Sequence, residues 1–196
     1  RENGMELHYV SRADYRLKEI PRFLDKLKAQ FGDFYLLPEG GSNELAIKGS
    51  EEILDTNDTQ DYICCSVGTG GTIAGIINTA NSMKQVIGFP AIKGPDTLLK
   101  NVRSWTKNNN FEFINSYAYG GYSKVSKELI QFINEFYTTQ DIPLDAVYTG
   151  KMLMGILDLV AKDYFPKRSS ILVIHTGGLQ GNKGMNDRFD LQLPIG

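Results

Sequence analysis

The segment YICCSVGTGGTIAG, residues 62–75, decides the fold of this 196-residue chain. It begins as a continuous apolar run, which is typical of a strand buried on both faces of a parallel sheet. A turn rich in glycine and threonine follows, and an apolar helical segment resumes after it. A strand, a glycine turn and a helix N-terminus in this order place several backbone N–H groups around one point. The segment therefore predicts a phosphate site formed by Gly68, Thr69, Gly70, Gly71 and Thr72.

Two common phosphate-binding patterns do not fit this loop. The dinucleotide pattern G-x-G-x-x-G would require a small residue where Ile73 stands, and no Gly-Lys-Ser/Thr follows as it does in nucleoside-triphosphate loops. The alternative without a ligand is a tight turn that uses its glycines for backbone reasons alone. Among ligands, the pattern favours a single phosphate.

Strand-like and helix-like segments alternate along the rest of the chain, which predicts an α/β fold with an open, mostly parallel sheet and helices on both faces. Strands are predicted near residues 5–10, 33–37, 61–67, 85–92, 111–114 and 170–174. Helices are predicted near residues 13–31, 44–55, 72–83, 96–109, 124–140 and 152–165. Pro21 falls inside the first of these helices, so its regular part is expected to start there.

The composition of the chain argues against nucleic-acid and membrane partners. Lys and Arg number 21 against 23 Asp and Glu, and no basic run with interleaved aromatic residues occurs, so a nucleic-acid partner is not expected. No apolar stretch approaches the roughly 18–20 residues of a membrane span, so no membrane is expected either. The adjacent Cys64 and Cys65 point to opposite strand faces and are interpreted as buried apolar residues in a reducing, cytoplasmic setting. Because the chain lacks an initiator Met, we expect a fragment.

A few polar residues stand where a ligand would bind. Thr176, in VIHTGG, follows the last predicted strand, and open α/β sheets bind ligands at the carboxyl ends of their strands. Tyr122 and Tyr148 each lie in a glycine-containing loop before a helix, where a tyrosine can stack on a planar ligand or transfer a proton, although most tyrosines only pack. His8 and His175 offer no catalytic triad, and no metal-ligand spacing occurs, so no metal is predicted.

Five motifs occur together in an order that resembles a known family: LPEGGSNELAIKG, SVGTGGTIAG, GGYSK, DAVYTGKMLMGILDLV and IHTGGLQG. The chain resembles the 1-aminocyclopropane-1-carboxylate deaminase/D-cysteine desulfhydrase family over nearly its whole length. These are pyridoxal-phosphate enzymes of amino-acid metabolism, related to the tryptophan synthase β subunit. The resemblance implies pyridoxal 5'-phosphate as cofactor, a small amino acid as substrate and a homodimer when full length. It also implies that residues 1–48 end a smaller domain and that residues 49–196 form most of a larger, cofactor-binding one.

The resemblance assigns roles to matching positions. The loop Gly68–Thr72 would bind the cofactor phosphate, in agreement with its physical interpretation. Tyr122 and Tyr148 would be the catalytic tyrosines on the substrate side, and Thr176 would face the pyridine nitrogen. Ring-opening enzymes typically read VYEGK and HLGG, whereas this chain reads VYTGK and HTGG, with Thr149 and Thr176, as in the desulfhydrase branch. A hydroxyl only hydrogen-bonds the nitrogen and supplies no charge, which favours β-elimination from D-cysteine over opening of the cyclopropane ring.

The family lysine that holds the cofactor covalently is expected before residue 1. Lys183, in a Gly-Asn-Lys sequence, follows the last strand and is interpreted as a coincidence; Lys48 and Lys151 are interpreted as solvated or structural. The chain by itself is therefore expected to be inactive. Three alternatives stay open: a deaminase that forms 2-oxobutanoate and ammonia, a relative of the cysteine or threonine synthases, and a non-catalytic phosphate-binding α/β domain.

Overall fold

The strand predicted to precede the glycine loop lies inside a four-stranded sheet. The computed structural model describes residues 4–55, 57–92 and 95–195. In it, β1 (Tyr62–Val67) has β2 (Gln85–Pro90) on one side and β4 (Ile171–Ile174) on the other, and β3 (Phe111–Phe113) pairs with β2. All three pairings are parallel, which confirms the predicted parallel sheet.

Helices that follow Leu37 in the chain cover both faces of this sheet, as predicted. The helices of the described residues are α1 (Arg12–Tyr15), α2 (Pro21–Phe31), α3 (Glu44–Ser50), α4 (Gly71–Thr79), α5 (Pro95–Trp105), α6 (Lys127–Gln140), α7 (Thr149–Ala161) and α8 (Gln180–Phe189). Short 3-10 turns occur at Glu39–Gly41, Glu51–Ile53 and Asn115–Tyr117.

Alternation along β1 divides the core into two layers. Cys65 belongs to a cluster with side chains of α4 and α5, among them Ile76 and Val102, whereas Cys64 belongs to a cluster with Met152 of α7. Successive side chains of a strand point to opposite faces, so α4 and α5 lie on one face of the sheet and α7 on the other. A third cluster joins α6, α7 and α8.

Two strand predictions were wrong. Residues 5–10 and 33–37 contain no strand in the described part of the chain, although α2 begins at Pro21 as expected. Met5, Leu7 and Tyr9 are exposed. Their alternating pattern does not form a strand by itself, because a strand is stable only where a neighbouring strand pairs with its backbone. The helix α8 was not predicted, since Gly181 and Gly184 lower its intrinsic helix propensity.

The chain divides into two compact units between Leu37 and Pro38. The first unit contains α1 and α2, and the second contains the sheet and the remaining helices. The assignment of residues 1–48 and 49–196 to the two domains of the family stays a prediction. Over the residues described, no helix combines the length and the apolar character that crossing a membrane requires.

Candidate active site

The predicted phosphate loop lies where β1 ends and α4 begins. Gly70 is the N-cap of α4 and has a φ of 98°, a left-handed conformation that glycine adopts without strain. A Cβ at Gly70 would stand 2.6 Å from a side-chain carbon of Val102, so no larger residue fits. The first N–H groups of a helix have no partner within the helix and carry its positive end, so this loop is able to bind an anion.

A second segment completes the wall of this loop, and sequence reasoning did not predict it. Gly40 has a φ of 67°, and a Cβ there would stand 2.5 Å from Oγ1 of Thr69. The Ser42 and Thr69 hydroxyls form a hydrogen bond of 2.6 Å, and Ser42 also lies against Gly71. Gly40 and Ser42 of this turn therefore both lie against the Thr69 side chain. Only the GGS sequence before α3 pointed to this turn.

Two hydroxyls face each other at the carboxyl ends of β1 and β4. The Ser66 Oγ and Thr176 Oγ1 atoms lie 3.3 Å apart, and Ser66 is only 7% exposed. The register brings them to the same edge, because Cys65 aligns with Ile174, one residue before Ser66 and two residues before Thr176. Thr176 was predicted from its place at the end of a strand. Ser66 was missed, although a single hydroxyl in the apolar run YICCSV was a usable signal.

Tyr148 lies beside the phosphate loop. A Cβ added to Gly68 would stand 3.3 Å from both Cε1 and Oη of Tyr148, so the phenol packs directly on the loop backbone. Burial, and then the neighbouring Tyr122, raise the pKa of Tyr148 to about 12. The phenol is therefore protonated at neutral pH, where it can donate a hydrogen bond or a proton.

Tyr122 stands next to Tyr148 but further out. Its side chain is 58% exposed, and its ring centroid lies 6.1 Å from that of Tyr148 in an edge-to-face arrangement. The structure thus brings the two predicted tyrosines together, with Tyr148 on the cavity wall and Tyr122 on the solvent side.

Thr149 is the predicted residue that the structure places elsewhere. It is fully buried, its hydroxyl donates to Oδ2 of Asp145 at 2.7 Å, and it accepts from the Asp145 N–H at 2.9 Å. The same carboxylate accepts from the N–H groups of Val147, Tyr148 and Thr149, each at 2.8 Å. Thr149 therefore helps to fix the start of α7, and its role in choosing the substrate stays a prediction.

The phosphate loop, Ser66, Tyr148 and Thr176 surround one cavity of about 290 Å³, whereas Tyr122 and Thr149 are not among its lining residues. Its lining residues are Gly40, Ser66, Val67, Gly68, Thr69, Gly70, Gly71, Thr72, Ile73, Tyr148, Thr176, Gly177, Gly178 and Gln180. Within the described ranges the lining includes neither a carboxylate nor a lysine. Lys48 and Lys183 are exposed on α3 and α8, and Lys151 is buried in α7.

His175 and the two cysteines have structural roles in this part of the sheet. The Gly177 N–H donates to Nδ1 of His175, so Nε2 carries the proton and donates to the Pro143 carbonyl at 2.9 Å. Cys64 and Cys65 are fully buried, and burial raises the pKa of both thiols to about 12. No cluster of three or more metal-ligating side chains occurs among the described residues.

Comparison with known proteins assigns this arrangement to a family. Residues 1–177 match the model of the pyridoxal-phosphate dependent enzymes, which is most of the chain. The chain belongs to the pyridoxal-phosphate dependent enzyme family. The predicted membership among the pyridoxal-phosphate enzymes, and with it the predicted cofactor, is thereby confirmed.

Individual relatives agree with the five motifs. A Thermotoga maritima protein with the provisional name 1-aminocyclopropane-1-carboxylate deaminase is 30% identical over 91% of this chain and 63% of its own length. A bifunctional D-cysteine desulfhydrase/1-aminocyclopropane-1-carboxylate deaminase of Arabidopsis thaliana mitochondria is 29% identical over 91% of this chain and 51% of its own. The crystal structure of a deaminase homologue is 25% identical and superimposes with a TM-score of 0.79, covering 95% of this chain and 63% of that one. The chain therefore spans half to two thirds of these relatives.

The site fits the cofactor of this family. Gly68 and Gly71 line the cavity, and an added Cβ would stand 3.3 Å from Tyr148 at Gly68 and 2.7 Å from the Ser42 Oγ at Gly71. The N–H groups at the start of α4 have no partner within the helix and are donors that suit a phosphate. The Ser66 and Thr176 hydroxyls lie in the same lining and are neutral partners suited to a pyridine nitrogen. A cavity of about 290 Å³ matches a small ligand.

Proposed function

We propose that the full-length protein is a pyridoxal-phosphate lyase that acts on D-cysteine or a related β-substituted D-amino acid. The products of the reaction on D-cysteine would be pyruvate, ammonia and sulfide. The observation that carries this proposal is the pair of hydroxyls, Ser66 and Thr176, 3.3 Å apart in a cavity whose described lining has no carboxylate. The glycine loop in the same lining supplies the place for the phosphate.

The chemistry of the hydroxyl pair favours elimination. When bound, pyridoxal phosphate supplies an electron sink for the pair of electrons released as the Cα proton of an amino acid leaves. A hydroxyl at the ring nitrogen donates or accepts a hydrogen bond but adds no full charge, so it supports a weaker sink than a carboxylic acid would. β-Elimination requires only a weak electron sink, because the C–S bond breaks with its electron pair on sulfur, which is a stable leaving group. One water then converts the remaining three-carbon unit to pyruvate and ammonia.

Tyr148 and Tyr122 would act on the substrate side. With a pKa of about 12, the Tyr148 phenol holds its proton at neutral pH, so it would donate to a developing negative charge rather than act as a base. Tyr122, exposed and edge-on to Tyr148, would bound the same space towards solvent. Both roles follow from where the phenols lie and from their protonation.

Deamination of the cyclopropane acid to 2-oxobutanoate and ammonia is the second candidate. It is favoured by the names of the relatives, one of which carries both activities in its name. The cyclopropane ring has no sulfur leaving group, so opening it requires a stronger electron sink than the hydroxyls of the described lining offer. We therefore place it second.

The complete enzyme would need residues beyond the described cavity. No lysine lines the cavity in the described ranges, so the lysine that holds the cofactor would come from outside them, and this chain alone would be inactive. We further propose a homodimer that works in the cytoplasm on small amino acids.

One experiment separates the candidates. The full reading frame is expressed with cofactor, and sulfide from D-cysteine is measured beside 2-oxobutanoate from 1-aminocyclopropane-1-carboxylate. We expect sulfide release to dominate in kcat/KM. Thr176→Val, which removes the hydroxyl, should lower it by roughly tenfold or more, whereas Thr176→Ser should retain most of it. Dominant 2-oxobutanoate formation would reject the elimination proposal, and no turnover of either substrate would reject both.

A further inference from the structure

Lys151 is a buried charged residue that the proposed chemistry does not use. It is 2% exposed, and its Nζ donates to the Ala118 carbonyl at 3.0 Å and to the Gly121 carbonyl at 2.7 Å. Burial lowers the pKa of the ammonium, and the charge of Asp145 opposes this shift. A lysine so placed is not available to the cavity, whose described lining it does not join.

The loop that Lys151 holds has an unusual backbone. Tyr119 and Ser123 have φ values of 45° and 55°, and Gly120 and Gly121 have values of 92° and 107°. Left-handed conformations are sparsely populated by residues other than glycine, and they persist where surrounding contacts determine them. Between them lies Tyr122, so the direction of its ring depends on what fixes this loop.

The contacts come from one face of α7. Lys151 binds the loop carbonyls, Gly155 lies under the Tyr117 ring, where a Cβ would stand 2.7 Å from the ring, and Asp158 accepts from the Tyr117 hydroxyl at 2.7 Å. Positions 151, 155 and 158 repeat with the spacing of one helix face. Tyr148 immediately precedes the first turn of the same helix. One helix therefore carries Tyr148 and the docking face for the loop that carries Tyr122.

We infer that Lys151 is a positioning residue that clamps the loop 118–122 to α7 and thereby sets Tyr122 against Tyr148. Its two bonds are the contacts of this face nearest to the tyrosine pair in sequence. The ammonium acts through the backbone of the loop and touches neither tyrosine ring in the contacts described. The consequence for catalysis rests on the proposed function, but the clamp itself does not.

The clamp is tested first on the native full-length protein by chemical labelling. Reductive methylation followed by peptide mass spectrometry compares Lys151 with Lys183, which is exposed on α8. We expect Lys151 to react at least about a hundredfold more slowly, because its Nζ is reached only when the loop opens. Equal rates of methylation would overturn the inference without any variant.

Lys151→Met then removes the ammonium while keeping the length of the side chain, and Lys183→Met is the matched control. Hydrogen exchange should become at least about tenfold faster in peptides covering 118–124 of Lys151→Met, with the β1 peptide still protected. The control should match the wild type in both peptides. Unchanged exchange at 118–124 in a folded Lys151→Met protein would contradict the clamp. If that variant fails to fold, the methylation result decides.

A kinetic cycle tests what the clamp does. In the wild-type background, Lys151→Met should lower kcat/KM by roughly tenfold, and in a Tyr122→Phe background by less than about threefold, because the loss passes through Tyr122. Equal losses in both backgrounds would assign Lys151 a general structural role and overturn the positioning role. If the wild type turns over neither substrate, the proposed function fails, while the methylation and exchange results still test the clamp.

Discussion

Ser42 and Thr69, 27 residues apart in sequence, share a hydroxyl–hydroxyl hydrogen bond of 2.6 Å at the edge of the phosphate loop. When two hydroxyls pair in this way, one donates to the other and the second keeps its proton for another acceptor. Thr69 lines the cavity, so a phosphate there would accept from this pair while the bond to Ser42 fixes the Thr69 rotamer.

Ser42→Ala should therefore weaken binding of pyridoxal phosphate to the full-length apoprotein by roughly three- to tenfold, the usual effect of one hydrogen bond. Binding of pyridoxal, which lacks the phosphate, should change by less than about twofold by the same argument. Fluorescence titration with both ligands measures this, with the exposed Ser82→Ala as control. Because Ser42 acts through Thr69, its effect should shrink in a Thr69→Val background. Equal losses for both ligands would show that Ser42 does not serve the phosphate.

Thr149 and Thr176 offer a comparison between two threonines in neighbouring motifs. The Thr149 hydroxyl is bonded twice to Asp145 in the interior, whereas the Thr176 hydroxyl lines the cavity. Thr149→Val should lower the free energy of unfolding by about 1–3 kcal/mol, because it leaves the buried Asp145 N–H without its acceptor and removes one hydrogen bond from Oδ2. It should leave the absorption spectrum of the bound cofactor unchanged.

Thr176→Val should change the free energy of unfolding by no more than about 0.5 kcal/mol, because its hydroxyl is not in the interior. It should instead shift the absorption spectrum of the bound cofactor. Urea denaturation and absorbance of the two full-length variants check the pair, with Thr149→Ser as a control that keeps the buried hydroxyl. A shifted spectrum in Thr149→Val without loss of stability would place that hydroxyl at the cofactor and contradict the geometry.

How far the sequence predicted the site depended on how local each signal was. β1, the glycine loop and α4 are consecutive, so their apolar periodicity and glycine spacing predicted them together. Thr176 was predicted because parallel sheets bind ligands at the carboxyl ends of their strands. That rule applies without knowing the exact register of β4 on β1. Ser42 and Lys151 were not predictable in their roles, since each acts on a segment about 30 residues away through packing of a turn or helix face that no local pattern encodes.

The same reasoning explains the errors in the fold. The alternation in MELHYV is a valid strand pattern, but it specifies a strand only where a neighbour provides hydrogen bonds. In α8, Gly181 and Gly184 argue against a helix, whereas Asn182 is 1% exposed and bonds to the backbone of Leu144, Ala146 and Pro194. Tertiary hydrogen bonds thus support a helix that intrinsic propensity disfavours. The letters Gly-Asn-Lys serve this packing, and Lys183 itself is exposed.

Cys64 and Cys65 should resist thiol reagents in the folded protein. Burial raises the pKa of both from 9.0 to about 12, and the thiolate is the reactive form. Reaction with an aromatic disulfide reagent at pH 8 should be at least about a hundredfold slower than in denaturant. Rapid labelling of either residue under native conditions would show that this strand is accessible.

The same shift predicts a dependence of stability on pH. A folded-state pKa above the unfolded value means that the protonated thiols stabilise the fold fully below about pH 9, and that this contribution is lost as the pH rises towards 12. Urea midpoints between pH 8 and 10.5 should fall in the wild type and fall less steeply in a Cys64→Ala/Cys65→Ala variant. Identical slopes would mean that other groups, such as Tyr148 with its raised pKa, account for the loss.

Tyr148 supplies the sharpest test of how the proposed site handles protons. Its phenol packs on Gly68, and its pKa of about 12 keeps it protonated through the working range of the enzyme. Tyr148→Phe keeps the ring and removes the proton, so we expect kcat of the full-length enzyme to fall by roughly a hundredfold with little change in cofactor binding. Tyr122→Phe, on the exposed side of the pair, should lower kcat by a smaller factor. Since the required form is the protonated one, the wild-type rate should show no loss from Tyr148 up to about pH 10, well below the pKa. A basic limb near pH 8 that disappears in Tyr148→Phe would show that the phenol titrates far below this value and acts as a base.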